Sequence, residues 1–328
     1  MAATLTPPTV TDIVDPTEPE VETEVATELE LSAIERAMRI VDAKADKLVT
    51  ASERASYDPF TDVDWSPAFD DAMFYLPPEF LPLYGTAAWD AMSEAERIAY
   101  SRHEVAALCS AGIWFENILM QMLLKELYNK PATDGSFRYL LVETADECRH
   151  SSMFGEMISR AGTPAYQVPR YLRYLGRFLV ATARGPISYV SILAAEELLD
   201  ISNRATMKDD RVHPVSRQVA KLHVLEEARH MSYARTYIAE VFPTLGRFRR
   251  LAAAVMAPFV VAGITDAMCN PAVYAELGIE GGVKTARKNP AYVERRKDDL
   301  ERLTGLLSEV GVITRWTRPV WRAFGLVR

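Results

Sequence analysis

Two short stretches of the chain repeat one pattern of charged residues, and this repeat restricts the possible fold more than any other feature. Residues 146–150 read Asp-Glu-Cys-Arg-His and residues 226–230 read Glu-Glu-Ala-Arg-His, each followed two positions later by Ser. On an α-helix, side chains three or four positions apart share a face. Each copy therefore presents a glutamate beside a histidine, which predicts two helices that direct these pairs toward a common interior.

Proline, glycine and capping residues divide the chain into several long helical segments. Ser93 and Glu96 form a capping-box pattern at the start of one segment, and Gly162 follows the end of another. We expect helices at about residues 93–130, 136–160, 186–207, 214–242, 245–268 and 290–310. The first four are long enough for a four-helix bundle, with additional helices and a strapping segment at 58–90 packed on it. The sequence therefore predicts an all-α fold.

The two ends of the chain differ in character. Residues 1–30 carry eight acids and no Lys, Arg or aromatic residue, which predicts a disordered acidic tail before a single helical domain at 31–328. The bundle that carries the repeated motifs would occupy about 93–245. These eight acids account for the whole net charge of −8, so no basic surface suggests a nucleic-acid partner.

The cysteines and the apolar runs indicate the compartment. Three cysteines cannot form a disulfide framework. The longest apolar run, Leu251–Ile264, has 14 residues and falls short of the ~20 needed to cross a bilayer. We therefore expect a cytoplasmic protein.

The repeated motifs provide metal-binding side chains in a specific order. His223 lies one turn before Glu227 and adds a third imidazole, while Glu116 and Glu196 lie in apolar stretches where an uncompensated carboxylate would be costly to bury. Two Glu–x–x–His pairs with two further glutamates form the set that holds a pair of iron or manganese ions in a bundle. The predicted metal ligands are Glu116, Glu147, His150, Glu196, His223, Glu227 and His230.

The residues around these ligands have predicted supporting roles. Asp146 and Glu226 could each accept the second ring N–H of a ligand histidine across the bundle, and Arg149 and Arg229 could pair with those acids. A single Glu–x–x–His would more often be a chance pair on a solvated helix face. Several neighbours are expected to lie outside the ligand set: Glu143 and Glu197 as supporting or surface residues, His103 and His213 as non-ligands, and Cys148 as a packing residue.

At these residues the chain resembles the ferritin-like di-iron carboxylate proteins, and among them the AurF-type N-oxygenases, over roughly residues 90–245. The third histidine, His223, is the specific mark of that resemblance. It implies a ferritin-like bundle in which two iron ions, or manganese and iron, activate O2 to oxidise an organic substrate, typically by N-oxygenation of an amine. It also implies an external electron donor, a ferredoxin or a flavin reductase, and a homodimer.

Other proteins with this bundle remain as alternatives. Soluble di-iron acyl-chain desaturases and hydroxylases carry similar motifs but lack a residue like His223. The radical-generating subunit of ribonucleotide reductase has a tyrosine where this chain has Phe154. A non-catalytic, ferritin-like iron-binding protein is a further alternative.

The resemblance is weakest where the substrate would be recognised. The family archetype holds its substrate's carboxylate with an arginine five positions before the first glutamate, and here that position is Ala111. We therefore expect a small apolar or amine substrate, which a carrier protein could deliver. Residues 168–193 could line a channel, dock a carrier or simply pack. The Arg- and Trp-containing residues 314–328 could contact a partner or an anionic membrane surface, or strap the bundle.

Overall fold

Helices form the described part of the protein, which in this computed structural model comprises residues 31–70 and 72–328. Within those residues the only β-type pairing is an isolated bridge between Phe74 and Val212. The all-α prediction is thus confirmed, whereas the predicted acidic tail at 1–30 lies outside the described residues. In chain order the helices are α1 (Ala33–Arg54), α2 (Ala87–Asp90), α3 (Glu94–Leu127), α4 (Gly135–Ala161), α5 (Arg170–Thr182), α6 (Pro186–Thr206), α7 (Pro214–Val241), α8 (Arg247–Ala267), α9 (Pro271–Glu276), α10 (Gly282–Lys288), α11 (Pro290–Asp299), α12 (Glu301–Glu309) and α13 (Arg318–Ala323).

Four of these helices form the bundle that positions the site. Helix α3 packs along α4, and α6 packs along α7, so the bundle consists of two long helix pairs. The observed bounds agree with the predicted ones to within three residues. The helices begin and end at the capping residues expected from the sequence. The Ser93–Glu96 capping box starts α3, and Gly162, in a left-handed conformation with φ 63°, follows the end of α4.

Helix α1 is the longest of the described helices that the sequence reasoning missed. It lies across α4 and α7 and buries Ala37, Val41, Ala45 and Leu48, which recur every three or four positions along one face. Its start is marked by a complete capping box between Ser32 and Glu35. It covers the side of the bundle away from α8, which packs on α6.

Two predicted segments have a different form in the structure. The single helix expected at 290–310 is wrong, because the chain forms α11 and α12 with a break at Leu300. Residues 168–193 form α5 and the start of α6, with Leu172 and Leu179 buried. A Cβ on Gly176 would lie 2.7 Å from side-chain atoms of Trp114 and Ile118, so this glycine allows α5 to approach α3 closely.

The strapping segment and the C-terminus both pack on the bundle. Tyr75, Leu81 and Leu83 of the strap are fully buried, as the sequence predicted for it. Near the C-terminus, Trp321 is fully buried while Trp316 is 76% exposed. The two tryptophans therefore occupy opposite environments.

Two described segments are long and apolar enough to cross a membrane by length and composition alone. They are Glu94–Leu127 and Arg247–Glu276, whose most apolar windows are 56% and 50% buried inside the protein. The core helices of soluble proteins meet the same criteria. Helix α3 also buries two carboxylates, Glu104 and Glu116, which is expensive in a lipid-facing helix.

Candidate metal centre

The seven predicted ligands lie together in the interior of the bundle. Helix α3 contributes one of them, α4 two, α6 one and α7 three. Each is at most 2% exposed. Their ligand atoms form four overlapping groups, and within each group all ligand atoms lie within 4.8 Å of one another. Glu143, which was not predicted as a ligand, belongs to one of them. The groups are Glu116 with His150 and His223; Glu143 with Glu147 and His230; Glu147 with His150 and Glu227; and Glu196 with His223 and Glu227.

The two Glu–x–x–His motifs face each other and share their contacts. His150 Nδ1 lies 2.9 Å from Glu147 Oε2 and 3.0 Å from Glu227 Oε1. His230 Nδ1 lies 3.0 Å from Glu227 Oε2 and 3.0 Å from Glu147 Oε1. Each glutamate thus presents one oxygen to each imidazole. Two carboxylates between two imidazoles are suited to bridging a pair of metal ions.

The acid that precedes each ligand glutamate contacts the histidine of the other motif. His150 Nε2 lies 2.9 Å from Glu226 Oε2, and His230 Nε2 lies 3.2 Å from Asp146 Oδ2. With a proton on Nε2, each imidazole donates it to this carboxylate and keeps the Nδ1 lone pair directed at the centre. This geometry gives the physical reason for the repeated acid–Glu order.

The arginines of the motifs neutralise these outer acids. Arg149 contacts Asp146 on its own helix. Arg229 Nη2 lies 3.4 Å from Asp146 Oδ2 and 3.5 Å from Glu226 Oε1, so it joins both acids. Arg229 therefore links α7 to α4 through Asp146, whereas Arg149 pairs with an acid of its own helix. The supporting roles of these four residues stay predictions.

His223 is held differently from the other two histidines. Its Nε2 lies 3.6 Å from Glu227 Oε1 and 4.0 Å from Glu116 Oε1, and its Nδ1 lies 3.1 Å from the side-chain amide of Asn203. With the amide oxygen of Asn203 turned toward the ring, it would accept the Nδ1 proton and leave the Nε2 lone pair free for a metal. Sequence reasoning missed Asn203, although it lies two turns after Glu196 on α6.

Burial and mutual repulsion shift the ionisation of these groups. Burial, together with the charges of Glu147, Glu196 and Glu227, raises the pKa of Glu116 well above its ordinary value. Burial and the neighbouring carboxylates raise the pKa of Glu196 in the same way. Burial lowers the pKa of His223 to about 4, so this imidazole is neutral at pH 7 and can act as a ligand.

The donor set fits a pair of cations because many of its atoms have no other partner. Buried polar atoms are normally hydrogen-bonded, and one left without a partner costs free energy. Five ligand atoms are buried and make no hydrogen bond: Glu116 Oε2, Glu147 Oε1, Glu196 Oε2, His223 Nε2 and Glu227 Oε1. Glu147 Oε1 and Glu227 Oε1 each face a histidine Nδ1 at 3.0 Å, and a lone pair on that nitrogen would leave them without a donor. Metal ions would satisfy these atoms and neutralise the crowded carboxylates. The metal-binding role of the seven residues stays a prediction.

The residues expected to lie outside the ligand set differ in burial. Glu143 is not at the surface: it is fully buried, both its carboxylate oxygens lack a hydrogen-bond partner, and it lies beside Glu147 and His230. Glu197 is buried against Arg235. Cys148 was expected to pack, and that expectation is wrong, because the residue is exposed.

The two remaining histidines have structural contacts of their own. His103 Nδ1 contacts the Tyr166 hydroxyl, and His213 Nε2 lies 3.0 Å from the Ala68 carbonyl oxygen. Neither belongs to any group of possible metal ligands within the described residues. Both were expected to be non-ligands.

Two cavities border the centre from different sides. One lies between α3, α4, α6 and α7 and includes Asn203 and Phe154, whose ring centroid is 5.2 Å from that of His223. We call it the His223 cavity, and its lining contains no charged residue. The other lies between α3, α5, α6 and α8, and Glu196 is the one charged residue among those that line it. We call it the Glu196 cavity.

Comparisons with known proteins cover most of the chain. A family model described as P-aminobenzoate N-oxygenase AurF matches residues 40–311. The uncharacterized protein MT0908 of Mycobacterium tuberculosis is 32% identical over 292 residues, covering 84% of this chain and 86% of that relative. The uncharacterized protein Mb0909 of Mycobacterium bovis is 31% identical, with the same coverage. The family match is wider than the four-helix bundle and takes in most of α1 and the helices up to α12.

Proposed function

The chain belongs to the P-aminobenzoate N-oxygenase AurF family, and from this we propose that it is a non-haem dinuclear-iron oxygenase that uses O2 to N-oxygenate an amine with an apolar body. The observation that carries the proposal is the crossed arrangement of His150, His230, Glu147 and Glu227 inside the bundle. A structural helical scaffold would have no reason to bury so many carboxylates without partners.

The chain's own residues prepare the centre for its metals. Two iron ions, or manganese and iron, held by the seven ligands would supply the activation of O2 and the redox chemistry. Glu226 and Asp146 hold the Nε2 protons of His150 and His230 and fix the ring orientations. Phe154 packs beside His150 and His223 and helps to exclude water.

The His223 cavity supports the proposed substrate class. Its lining carries no charge. Ala111, at the position of the archetype's arginine, is buried outside that lining and supplies no cation either. A substrate carboxylate would therefore find no cation there. An amine on a neutral, apolar aryl or alkyl body fits these walls better than p-aminobenzoate.

The partners are part of the proposal. The sequence has no flavin or nicotinamide signature and no cysteine cluster, which supports an external ferredoxin or flavin reductase as the electron donor. We extend the proposal to a cytoplasmic homodimer. The exposed Trp316, with Arg315 stacked on it at 4.5 Å, supports a peripheral contact of the C-terminus with a partner or an anionic membrane, whereas buried Trp321 acts as a strap.

Metal analysis and product analysis test the proposal. We expect about two iron ions per chain, by analogy with the donor set, and hydroxylamine or nitro products from apolar arylamines supplied with reductant. Labelled oxygen from 18O2 should appear in those products. A metal-free protein, or conversion without incorporation of label, would contradict the assignment.

A second candidate function is favoured by the Glu196 cavity. Its apolar walls between α5 and α8 suit an acyl chain, which would be the substrate of a desaturase or hydroxylase of the same soluble di-iron class. Matched substitutions separate the two readings: Ser191→Leu fills the Glu196 cavity and Ala220→Leu fills the His223 cavity. N-oxygenation should fail in Ala220→Leu and persist in Ser191→Leu, and the reverse pattern with acyl thioesters would favour the desaturase.

A further inference from the structure

A third cavity adjoins the His223 cavity and extends away from the metal centre. It lies between the strapping segment, α3, α6, α8 and α11. Four residues line both cavities: Leu76, Leu108, Leu199 and Ser202. A substrate in the His223 cavity could therefore extend past Leu108 into this third cavity, which we call the distal cavity.

The walls of the distal cavity carry two acids with free acceptor atoms. Glu104, 1% exposed, has its Oε1 buried without a hydrogen-bond partner. Asp299, 8% exposed, has its Oδ1 in the same condition. Glu104 precedes the ligand Glu116 by three turns of α3, roughly 18 Å along the helix axis. These acids thus mark the end of the combined cavity that lies remote from the metal centre.

The cations of the distal cavity are largely committed to other contacts. Arg295 donates to the carbonyl oxygens of Glu79 and Phe80, the latter at 2.8 Å, and its guanidinium stacks on the Phe80 ring at 4.9 Å. Arg296 stacks on Tyr292 at 5.6 Å, although its Nε lacks an acceptor. No described ion pair joins Glu104 or Asp299 to either arginine, although the positive charges of both arginines act on Asp299 and oppose the rise in its pKa that burial causes.

We propose that Glu104 and Asp299 form a subsite for a protonated amine at the end of the substrate remote from the nitrogen that is oxidised. A buried carboxylate oxygen without a partner is costly, and an ammonium supplies both the opposite charge and up to three hydrogen-bond donors. The substrate class is then an elongated amine with a second, cationic nitrogen. The assignment of the oxidised end rests on the proposed function, but binding at the distal cavity does not.

A purely structural role for Glu104 is the competing explanation. Tyr100 and Tyr274, whose hydroxyls lie 3.3 Å apart, both hydrogen-bond to Glu104 and could be its only partners. In that case, removing the charge would change stability but would not change which ligands bind. Ligand selectivity therefore separates the two roles.

The test is a calorimetric binding series with the full chain loaded with ferrous iron under argon, where no turnover occurs. The probes are 4-alkylanilines of increasing chain length that end in an amine, a methyl group or a carboxylate; the last tests the free Nε of Arg296. We expect the amine-terminated probe to bind at least tenfold more tightly than the other two at the best length. Equal binding of the three would overturn the proposal.

The variants assign any preference to the acids. Glu104→Gln and Asp299→Asn should each remove most of the preference for the amine-terminated probe. Glu126→Gln, a mostly buried acid that lines a different cleft and pairs with Lys130 at 3.6 Å, and Asp298→Asn, an exposed neighbour, should keep it. An unchanged preference in Glu104→Gln would overturn the proposal. If that variant fails to fold, Asp299→Asn and the wild-type series decide.

The result is independent of the proposed chemistry. An amine preference that depends on Glu104, in a protein that oxidises no amine, would remove the proposed function and keep the subsite. N-oxygenation of simple apolar arylamines with no amine preference in binding would keep the function and remove the subsite.

Discussion

Asp146 and Glu226 show why a repeated sequence pattern can carry more information than its ligands alone. A glutamate and a histidine on one helix turn could arise on any solvated face. The acid one position earlier points to a different neighbour, the histidine of the opposite helix, and the two contacts are reciprocal. The motif therefore encodes both the ligands and the residues that orient them.

Removing either of these acids should weaken metal binding without removing a ligand. Asp146→Asn and Glu226→Gln should each lower the affinity for iron by about 10- to 100-fold, because the facing imidazole loses the acceptor that fixes its proton and orientation. Competitive titration with a chelator measures this. Asp200→Asn, a buried acid paired with Arg204 at 2.7 Å, is the matched control and should bind iron normally. Normal affinity in both variants would refute the orienting role.

Glu104 should make stability depend on pH in a direction opposite to that of most paired acids. Burial raises the pKa of Glu104 to about 7, from an ordinary 4.5, against opposing hydrogen bonds from Tyr100 and Tyr274. Between these values the folded protein keeps a proton that the unfolded chain has lost. The contribution of Glu104 to stability is therefore greatest below pH 4.5, falls as the pH rises to 7 and is constant above that.

The variant Glu104→Gln should remove this pH dependence. Relative to wild type, its free energy of unfolding should improve between pH 5 and pH 8 by an amount on the order of 3 kcal/mol. Urea denaturation at the two pH values measures the difference. Glu94→Gln, at an exposed position on the same helix, should show no such change. A difference that is the same at both pH values would contradict the burial argument.

Some residues of the site could not be predicted, because their partners lie on other helices. Asn203 is an ordinary polar residue in the sequence, and only the packing of α6 on α7 brings it to His223. Glu143 shares a helix face with Glu147, and periodicity alone left it as a supporting or surface residue. The ligand pattern itself was predictable, since it depends on spacing within single helices.

At the scale of elements, the predictable helices were those with strong signals at their ends. Pro186 and Pro214 begin α6 and α7 at the positions expected for prolines in a first turn. Helix α1 was missed because its buried face uses small residues such as Ala37 and Ala45 and follows directly on the acidic stretch. The break at Leu300 between α11 and α12 was not predicted, because no Pro or Gly lies at that position in the sequence.

Helix α1 should contribute to the stability of the bundle although it holds no predicted ligand. Leu48 is 8% exposed and packs in the main core, so Leu48→Ala should lower the free energy of unfolding by about 2–5 kcal/mol. Ile40→Ala on the same helix, at a position 48% exposed, should have a small effect. Chemical denaturation of the two variants measures the contrast. Equal losses would mean that α1 does not pack as observed.

At the scale of the whole molecule, the bundle is organised around a costly interior. The predicted metal ligands and Glu143 place several carboxylates where water cannot reach them, and burial with mutual repulsion raises the pKa of Glu116 and Glu196. Such a site destabilises the metal-free protein and is stabilised by ligand binding. The carboxylates that metal binding would require are therefore the same ones that lower the stability of the metal-free protein.

The substitution Glu116→Gln should therefore change stability in opposite directions without and with metal. Without metal, Glu116→Gln should raise the melting temperature, because it removes a buried, poorly compensated acid. With ferrous iron at a free concentration of about 1,000 times the dissociation constant, wild type should gain roughly 4 kcal/mol from binding, and the variant should gain clearly less because it has lost a carboxylate donor. Calorimetric melting of both proteins, with chelator and with iron under argon, gives the four melting temperatures needed.

Glu116→Gln should melt at a higher temperature than wild type with chelator and at a lower temperature with iron. The control Glu94→Gln should melt like wild type in both conditions. If Glu116→Gln were less stable than wild type without metal and gained as much from iron, Glu116 would be a structural acid, and the site would need a different fourth carboxylate.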